Sequence, residues 1–226
     1  DPSIAVILLR KLVDLGVTTT AMRAGVRTVL SSSDIRGLVE QVTEQEQVSS
    51  AIRARIEGRS VEKSGATTVL VYSAKGGVGK TTTSLNLGAC LAGVSDESVV
   101  VVDLDLQFGD VGVAVGKPES EKSIFDLVSD PSSVTLESVR KSLEKVTDNF
   151  FVLLAPADPS QADRVGAALV EKIVEALQSG FDWVIIDSPP AFTDEILSAF
   201  DHADVQVLVS TPDLASVKNL SVATKT

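Results

Sequence analysis

The 226-residue chain carries 20 Lys and Arg against 31 Asp and Glu, a formal net charge of −11, with 44% hydrophobic and only 4% aromatic residues. That length accommodates one sizeable α/β domain with a smaller piece attached, and the Val, Ala, Leu and Ile content suits parallel strands covered by helices while excluding intrinsic disorder. A single cysteine, Cys90, excludes an internal disulfide framework and any zinc or iron–sulfur site built from several thiolates, and it points to the cytoplasm. No apolar run reaches the roughly 18 residues of a membrane span. The opening "DPSIAVILL" lacks the basic region of a secretory signal and, without an initiator Met, reads as the start of a fragment.

In chain order, "IAVILL" (Ile4 to Leu9) is expected as a buried strand, "VTTTAMRAG" as a short helix ending at Gly25, and "VRTVL" as a second strand. A longer helix follows from near Ser33 or Asp34, either of which can cap it, with Ile35, Leu38, Val39 and Val42 at helical spacing. The polar, charged stretch "EQEQVSSAIRARIEGRSVEKSGA" extends that helix into a linker. These features divide the chain into a first α/β piece (1–58), a linker (59–66) and a main domain (67–226). Charge divides with them: residues up to Ala66 hold 9 Lys and Arg against 8 Asp and Glu, which leaves 11 against 23 beyond. The main domain has the acidic excess and no basic cluster, so no nucleic acid partner is expected.

From Thr67 onward short β-branched runs alternate with helical patterns, the signature of a mainly parallel sheet wrapped by helices. Strands are expected at "TTVLVYS", "SVVVVD", "FFVLLAP", "DWVIIDS" and "DVQVLVS", with helices over Thr81 to Ala92, Gln161 to Gln178 and Thr193 to His202. Ligands of such sheets bind beyond the carboxyl ends of the strands.

"YSAKGGVGKTT", Tyr72 to Thr82, joins the first of these strands to its helix. Around Val78, the glycines Gly76, Gly77 and Gly79 let successive N–H groups turn inward on phosphate oxygens, and the helix N-terminus adds its positive dipole. Lys80 then offers an ammonium to the β and γ phosphates, Thr81 a hydroxyl to Mg²⁺, and Thr82 a bond to the α phosphate. "VVVVDLDLQFGD" places Asp103 and Asp105 at the end of the second strand, two apart and on one face if the strand continues. "DWVIIDSPP" ends another apolar strand in Asp187, with Pro189 and Pro190 stiffening the segment after it. Cys90 and Trp183 read as packing residues, and His202 as a helix-end residue in a favourable dipole.

The loop departs from the standard G-x-x-x-x-G-K-[ST] pattern: Ala74 stands at the first glycine and Lys75 directly precedes Gly76. The resulting K-G-G-x-G-K-T resembles the deviant Walker A motif of the MinD/ParA family of ATPases. The resemblance implies a P-loop NTPase fold, ATP and Mg²⁺ as cofactors, and a homodimer in which Lys75 reaches the partner's nucleotide. It implies further that Asp105 orients or activates the attacking water, and that Asp103 and Asp187 help Thr81 to hold the hydrated Mg²⁺. A second cation tied to dimerisation would stabilise charge developing in γ-phosphoryl transfer, as an arginine finger does.

Within the family, "DLDLQFGDVGVAVG", "SIFDLV" and "LLAPADPSQAD" resemble the TadZ/CpaE branch of tight-adherence (Flp-type) pilus assembly. Partition ATPases usually read D-x-D-P-Q where this chain has Leu106 before Gln107. The first α/β piece is similar to the last third of a response-regulator receiver, degenerate because Ser31 and Ser32 stand where receivers carry a lysine. Such a piece is expected to be an interaction or dimerisation surface. The resemblance also implies pilus or secretion proteins as partners and recruitment to a membrane-associated complex, at the inner face of the cell membrane or a pole. A non-hydrolysing nucleotide-binding scaffold and a DNA partition ATPase are the alternatives; the acidic balance weighs against the second.

Overall fold

In a computed structural model of the chain, the described residues are 5–57, 65–94, 96–129, 133–211 and 218, the side chains of 49–57 excepted. The first piece contributes β1 (Ala5–Arg10), α1 (Leu15–Arg23), β2 (Thr28–Ser31) and α2 (Ile35–Glu57). Then come β3 (Thr67–Tyr72), α3 (Lys80–Val94), β4 (Val99–Asp103), α4 (Val111–Ala114), α5 (Leu136–Lys141), β5 (Glu144–Lys145) and β6 (Phe150–Leu153). The described part closes with α6 (Ala167–Gln178), β7 (Trp183–Asp187), α7 (Asp194–Asp201) and β8 (Val205–Ser210). The 3-10 turns Ile124–Leu127 and Pro159–Arg164 lie in the connections.

The strands form one sheet in the order β2-β1-β8-β3-β7-β4-β6-β5. Every pairing is parallel except that of β5 with β6. All residues of β3, β4 and β7 are buried. Covered on both faces, these strands can be apolar at every position rather than at alternate ones, which is why they read as continuous runs of Val, Leu and Ile. Alternate residues still separate by face. Leu70, Val100, Val102 and Ile186 meet α5, α6 and α7 through Val139, Leu169, Val170, Ile173 and Ile196. Val69, Val71, Val101 and Ile185 meet α2 and α3 through Leu38, Val42, Leu87 and Leu91. Each fully buried side chain of this kind contributes about 1.5–3 kcal/mol.

The receiver-like piece expected from the sequence lies in this same sheet: β1 pairs along its whole length with β8, Ala5 opposite Val205 through Arg10 opposite Ser210. Residues 58–64, which fall mostly in the expected linker, lie outside the described residues, as does Pro212. The expected helix from Gln161 to Gln178 is two elements. A 3-10 turn begins at Pro159 under an Asp158 cap, and non-helical backbone at Val165 with extended backbone at Gly166 separates it from α6. None of the helices among the described residues is long and apolar enough to cross a membrane.

Candidate functional site

The phosphate loop follows β3 at the carboxyl edge of the sheet. Gly77 and Gly79 adopt φ of +71° and +99°, and no residue other than glycine has a positive φ among those described. A side chain at either position would be strained, so the curl of the loop depends on these two residues. Ser73, nearly buried, accepts the Lys75 N–H at 3.3 Å, and the Thr83 N–H bonds to the Gly79 carbonyl as the helix begins. The first turn of α3 contains no acidic residue, so its N-terminal dipole keeps its attraction for an anion. Lys80 opens that helix with only 8% of its surface exposed.

Behind the loop, Asp187 organises a buried cluster. The Thr81 hydroxyl donates to its Oδ2 at 2.6 Å, the short distance of a bond to a charged acceptor. The Ser84 hydroxyl donates to Oδ1 at 2.9 Å. Ser84 is not among the residues that the sequence singles out; its only signal is its place three residues after Thr81, on the same face of α3. Burial pushes the Asp187 carboxyl above its ordinary value, opposed by the Thr81 and Ser84 hydrogen bonds and the nearby charge of Lys80. Just beyond, the Ser188 hydroxyl donates to the Val71 carbonyl at 2.8 Å and pins the start of the Pro189–Pro190 segment to β3.

Asp103 faces Asp187 across the β4–β7 pairing. The strand does not continue to Asp105: it ends at Asp103, whose Oδ1 accepts the Asp105 N–H at 3.1 Å and whose Oδ2 accepts the Val111 N–H at 3.2 Å. Both oxygens therefore shape the 105–111 loop. Burial, then the charge of Asp187, raise this carboxyl well above the usual range, against those two backbone bonds. Gly109 sits so close that a Cβ there would lie 2.4 Å from Asp103 Oδ2. Asp105 is half-buried, beyond the strand end, where its charge acts on both Asp103 and Asp187.

Lys75, Gly76, Gly77 and Thr82 are exposed, and Val78 and Gly79 half-buried. The Lys75 Nζ reaches away from its own loop to the hydroxyl of Thr211, just past β8, at 3.5 Å. The structure thus brings Lys80, Thr81, Asp103, Asp105 and Asp187 together, with Lys75 on the outer lip. The hydroxyl and buried carboxylates are hard oxygen ligands suited to Mg²⁺, and the glycine loop with its open helix N-terminus suits a polyphosphate.

Two neighbouring features belong to the same edge. Tyr72, the last residue of β3, packs its ring 4.8 Å from that of Phe192 and 5.4 Å from that of Phe200. It links the loop to the segment after Asp187, and burial pushes its hydroxyl up to about 12. The stretches "SIFDLV" and "PSQADR" meet, with the Arg164 guanidinium 4.9 Å over the Phe125 ring.

A sequence model of the family described as "AAA domain" matches residues 66–226. The septum site-determining protein MinD of Bacillus subtilis is 32% identical over 151 residues, covering 67% of this chain and 55% of that protein. The chain thus spans about half the length of that relative. Among solved structures, MinD complexed with Mg-ADP from Pyrococcus horikoshii superposes with a TM-score of 0.60 at 21% identity, covering 71% of this chain and 65% of that one. A ParA family ATPase from Chlorobium tepidum gives 0.65 at 20% identity, covering 71% and 68%. At these identities the structural likeness is one of fold.

Proposed function

Because this chain belongs to the MinD/ParA family of P-loop ATPases, we propose that it binds ATP with Mg²⁺, dimerises around the nucleotide, hydrolyses it slowly, and uses the two states to place or assemble tight-adherence pilus machinery. The observation that carries this reading is the buried cluster in which Thr81 and Ser84 hold Asp187 behind the glycine loop, with Lys80 beside it. A scaffold that never hydrolyses has no chemical use for an Asp105 poised beside that cluster. The Mg-ADP complexed with MinD of Pyrococcus horikoshii supports the same cofactors here.

In this mechanism the loop N–H groups and Lys80 bind the phosphates, and Thr81 with Asp187 holds the cation. A Mg²⁺ held there would supply positive charge to neutralise the β and γ phosphates. Asp105 orients a water in line with the γ phosphorus and accepts its proton as the new P–O bond forms and the bond to the β–γ bridging oxygen breaks. Asp103 keeps the loop that carries Asp105 in place. Lys75, on the outer lip, reaches the partner's nucleotide and stabilises the leaving oxygen only when two copies meet. The pilus assignment rests on the resemblance of "DLDLQFGDVGVAVG", "SIFDLV" and "LLAPADPSQAD", the last two of which touch where the Ile124 N–H donates to the Leu154 carbonyl at 2.9 Å. The protein would work on the cytoplasmic side of the membrane, recruited by its pilus partners, and its acidic main domain disfavours DNA.

Asp105→Ala tests the hydrolytic step. ATP binding is expected to persist while phosphate release falls by about 10²–10³-fold, and cells carrying the variant are expected to lose surface pili. Unchanged phosphate release would remove Asp105 from the mechanism, and normal pili would detach the ATPase from pilus assembly.

A further inference from the structure

Glu171, Glu175 and His202 each offer one ligand atom, and these atoms lie within 4.8 Å of one another. The glutamates stand one turn apart on α6, and His202 caps the carboxyl end of α7. Because β8 begins just beyond His202 and runs parallel to β3, the cluster lies at the edge of the sheet opposite the phosphate loop.

His202 Nδ1 lies 2.8 Å from the Ser198 carbonyl oxygen. A carbonyl only accepts, so Nδ1 carries a proton, and in the neutral ring Nε2 is then the nitrogen with a lone pair to offer a metal. Metal-bound histidines are oriented in this way, with the second ring nitrogen donating to a carbonyl or carboxylate. The ligand set is one imidazole nitrogen and two carboxylate oxygens. Imidazole favours first-row transition ions over Mg²⁺ and Ca²⁺, and three protein ligands with a water in the fourth position suit zinc. Two carboxylates balance the charge of a divalent ion, which would also sit at the negative end of the α7 dipole. Zn–N and Zn–O distances of about 2.0–2.2 Å require the three atoms to draw somewhat closer, within reach of the exposed glutamate side chains. The competing contact is an exposed ion pair, Lys172 Nζ to Glu175 at 3.4 Å.

We propose that Glu171, Glu175 and His202 form a surface site for a zinc-class divalent ion that ties α6 to the end of α7. The site contains the chain's only histidine and lacks its only cysteine, so its variants are unambiguous.

Zinc titrated calorimetrically into the nucleotide-free chain is expected to bind at one equivalent and to raise the melting temperature. Glu171→Gln, an exposed change, and His202→Ala, at the half-buried end of α7, are both expected to keep the wild-type circular dichroism. Each should weaken zinc binding at least about tenfold and abolish the zinc-dependent rise in melting temperature, whereas Cys90→Ser retains both. Absence of binding by the wild type up to about millimolar zinc, or equal affinity in His202→Ala, would overturn the proposal. So would loss of binding in Cys90→Ser alone.

Discussion

The carboxyl ends of β3 and β1 lie two strands apart on one edge of the sheet, and each neighbourhood buries a basic side chain, Lys80 at 8% exposure and Arg10 at 7%. Near β3, the hydroxyls of Thr81 and Ser84 are committed to Asp187, and α3 begins with no acidic residue in its first turn. Near β1, Arg10 Nε has no hydrogen-bond partner among the described residues, and the Ser31 and Ser33 hydroxyls bond to each other at 2.9 Å. The helices there are already filled. Asp14 accepts the Val17 N–H at the start of α1, and Asp34 accepts the Gly37 N–H at the start of α2, both at 2.9 Å. A parallel sheet offers helix N-termini along its whole carboxyl edge, and the start of α3, unlike the carboxylate-capped starts of α1 and α2, keeps room and charge for an incoming anion.

The largest expected effect comes from removing the buried cation at each end in turn. Lys80→Ala should lower phosphate release by about 10²–10³-fold, while Arg10→Met should leave it within about threefold, since Arg10 belongs to no phosphate cradle. Equal losses in the two variants would erase the distinction. Ser84→Ala is smaller: it removes one hydrogen bond to a buried carboxylate, so a loss of about 1.5–3 kcal/mol in unfolding free energy is expected by denaturant titration. No change would remove Ser84 from the cluster.

Smaller still is the response to pH. Asp103 and Asp187 are both raised above the ordinary carboxylate range, so the native state binds protons at a higher pH than the unfolded chain. Stability of the nucleotide-free protein should therefore rise as pH falls from neutral through those raised values. The gain should end once the ordinary carboxylate range, near pH 4, is reached. Asp187→Asn should flatten the slope of melting temperature against pH, and an unchanged slope would place its origin elsewhere.

Legibility in the sequence tracks burial. β3, β4, β7 and β8 are sandwiched between helices, so their β-branched runs are nearly unbroken, and the glycine loop has a spacing that little else requires. β5 is two polar residues, Glu144 and Lys145, paired antiparallel at the far edge, and carries no pattern to read. Gly166 breaks a stretch whose apolar spacing continues across it, so the spacing predicts one helix where a 3-10 turn and α6 stand. Ser84 is hidden because a serine inside a helix signals nothing until its partner, 103 residues away, is folded beside it. The D-x-D spacing locates Asp103 and Asp105, but it does not say that the strand stops between them, which commits Asp103 to the loop. The place of β1 beside β8 depends on long-range pairing that no local pattern encodes.

The most direct test of the central claim is the oligomeric mass of the protein and of its Lys75→Ala variant, measured by light scattering without nucleotide, with ADP and with ATP, while phosphate release is followed in the same samples. A wild-type dimer with ATP alone, slow phosphate release, and loss of both in Lys75→Ala are expected. A wild-type mass indifferent to nucleotide, or a variant that dimerises and hydrolyses as the wild type does, would contradict it.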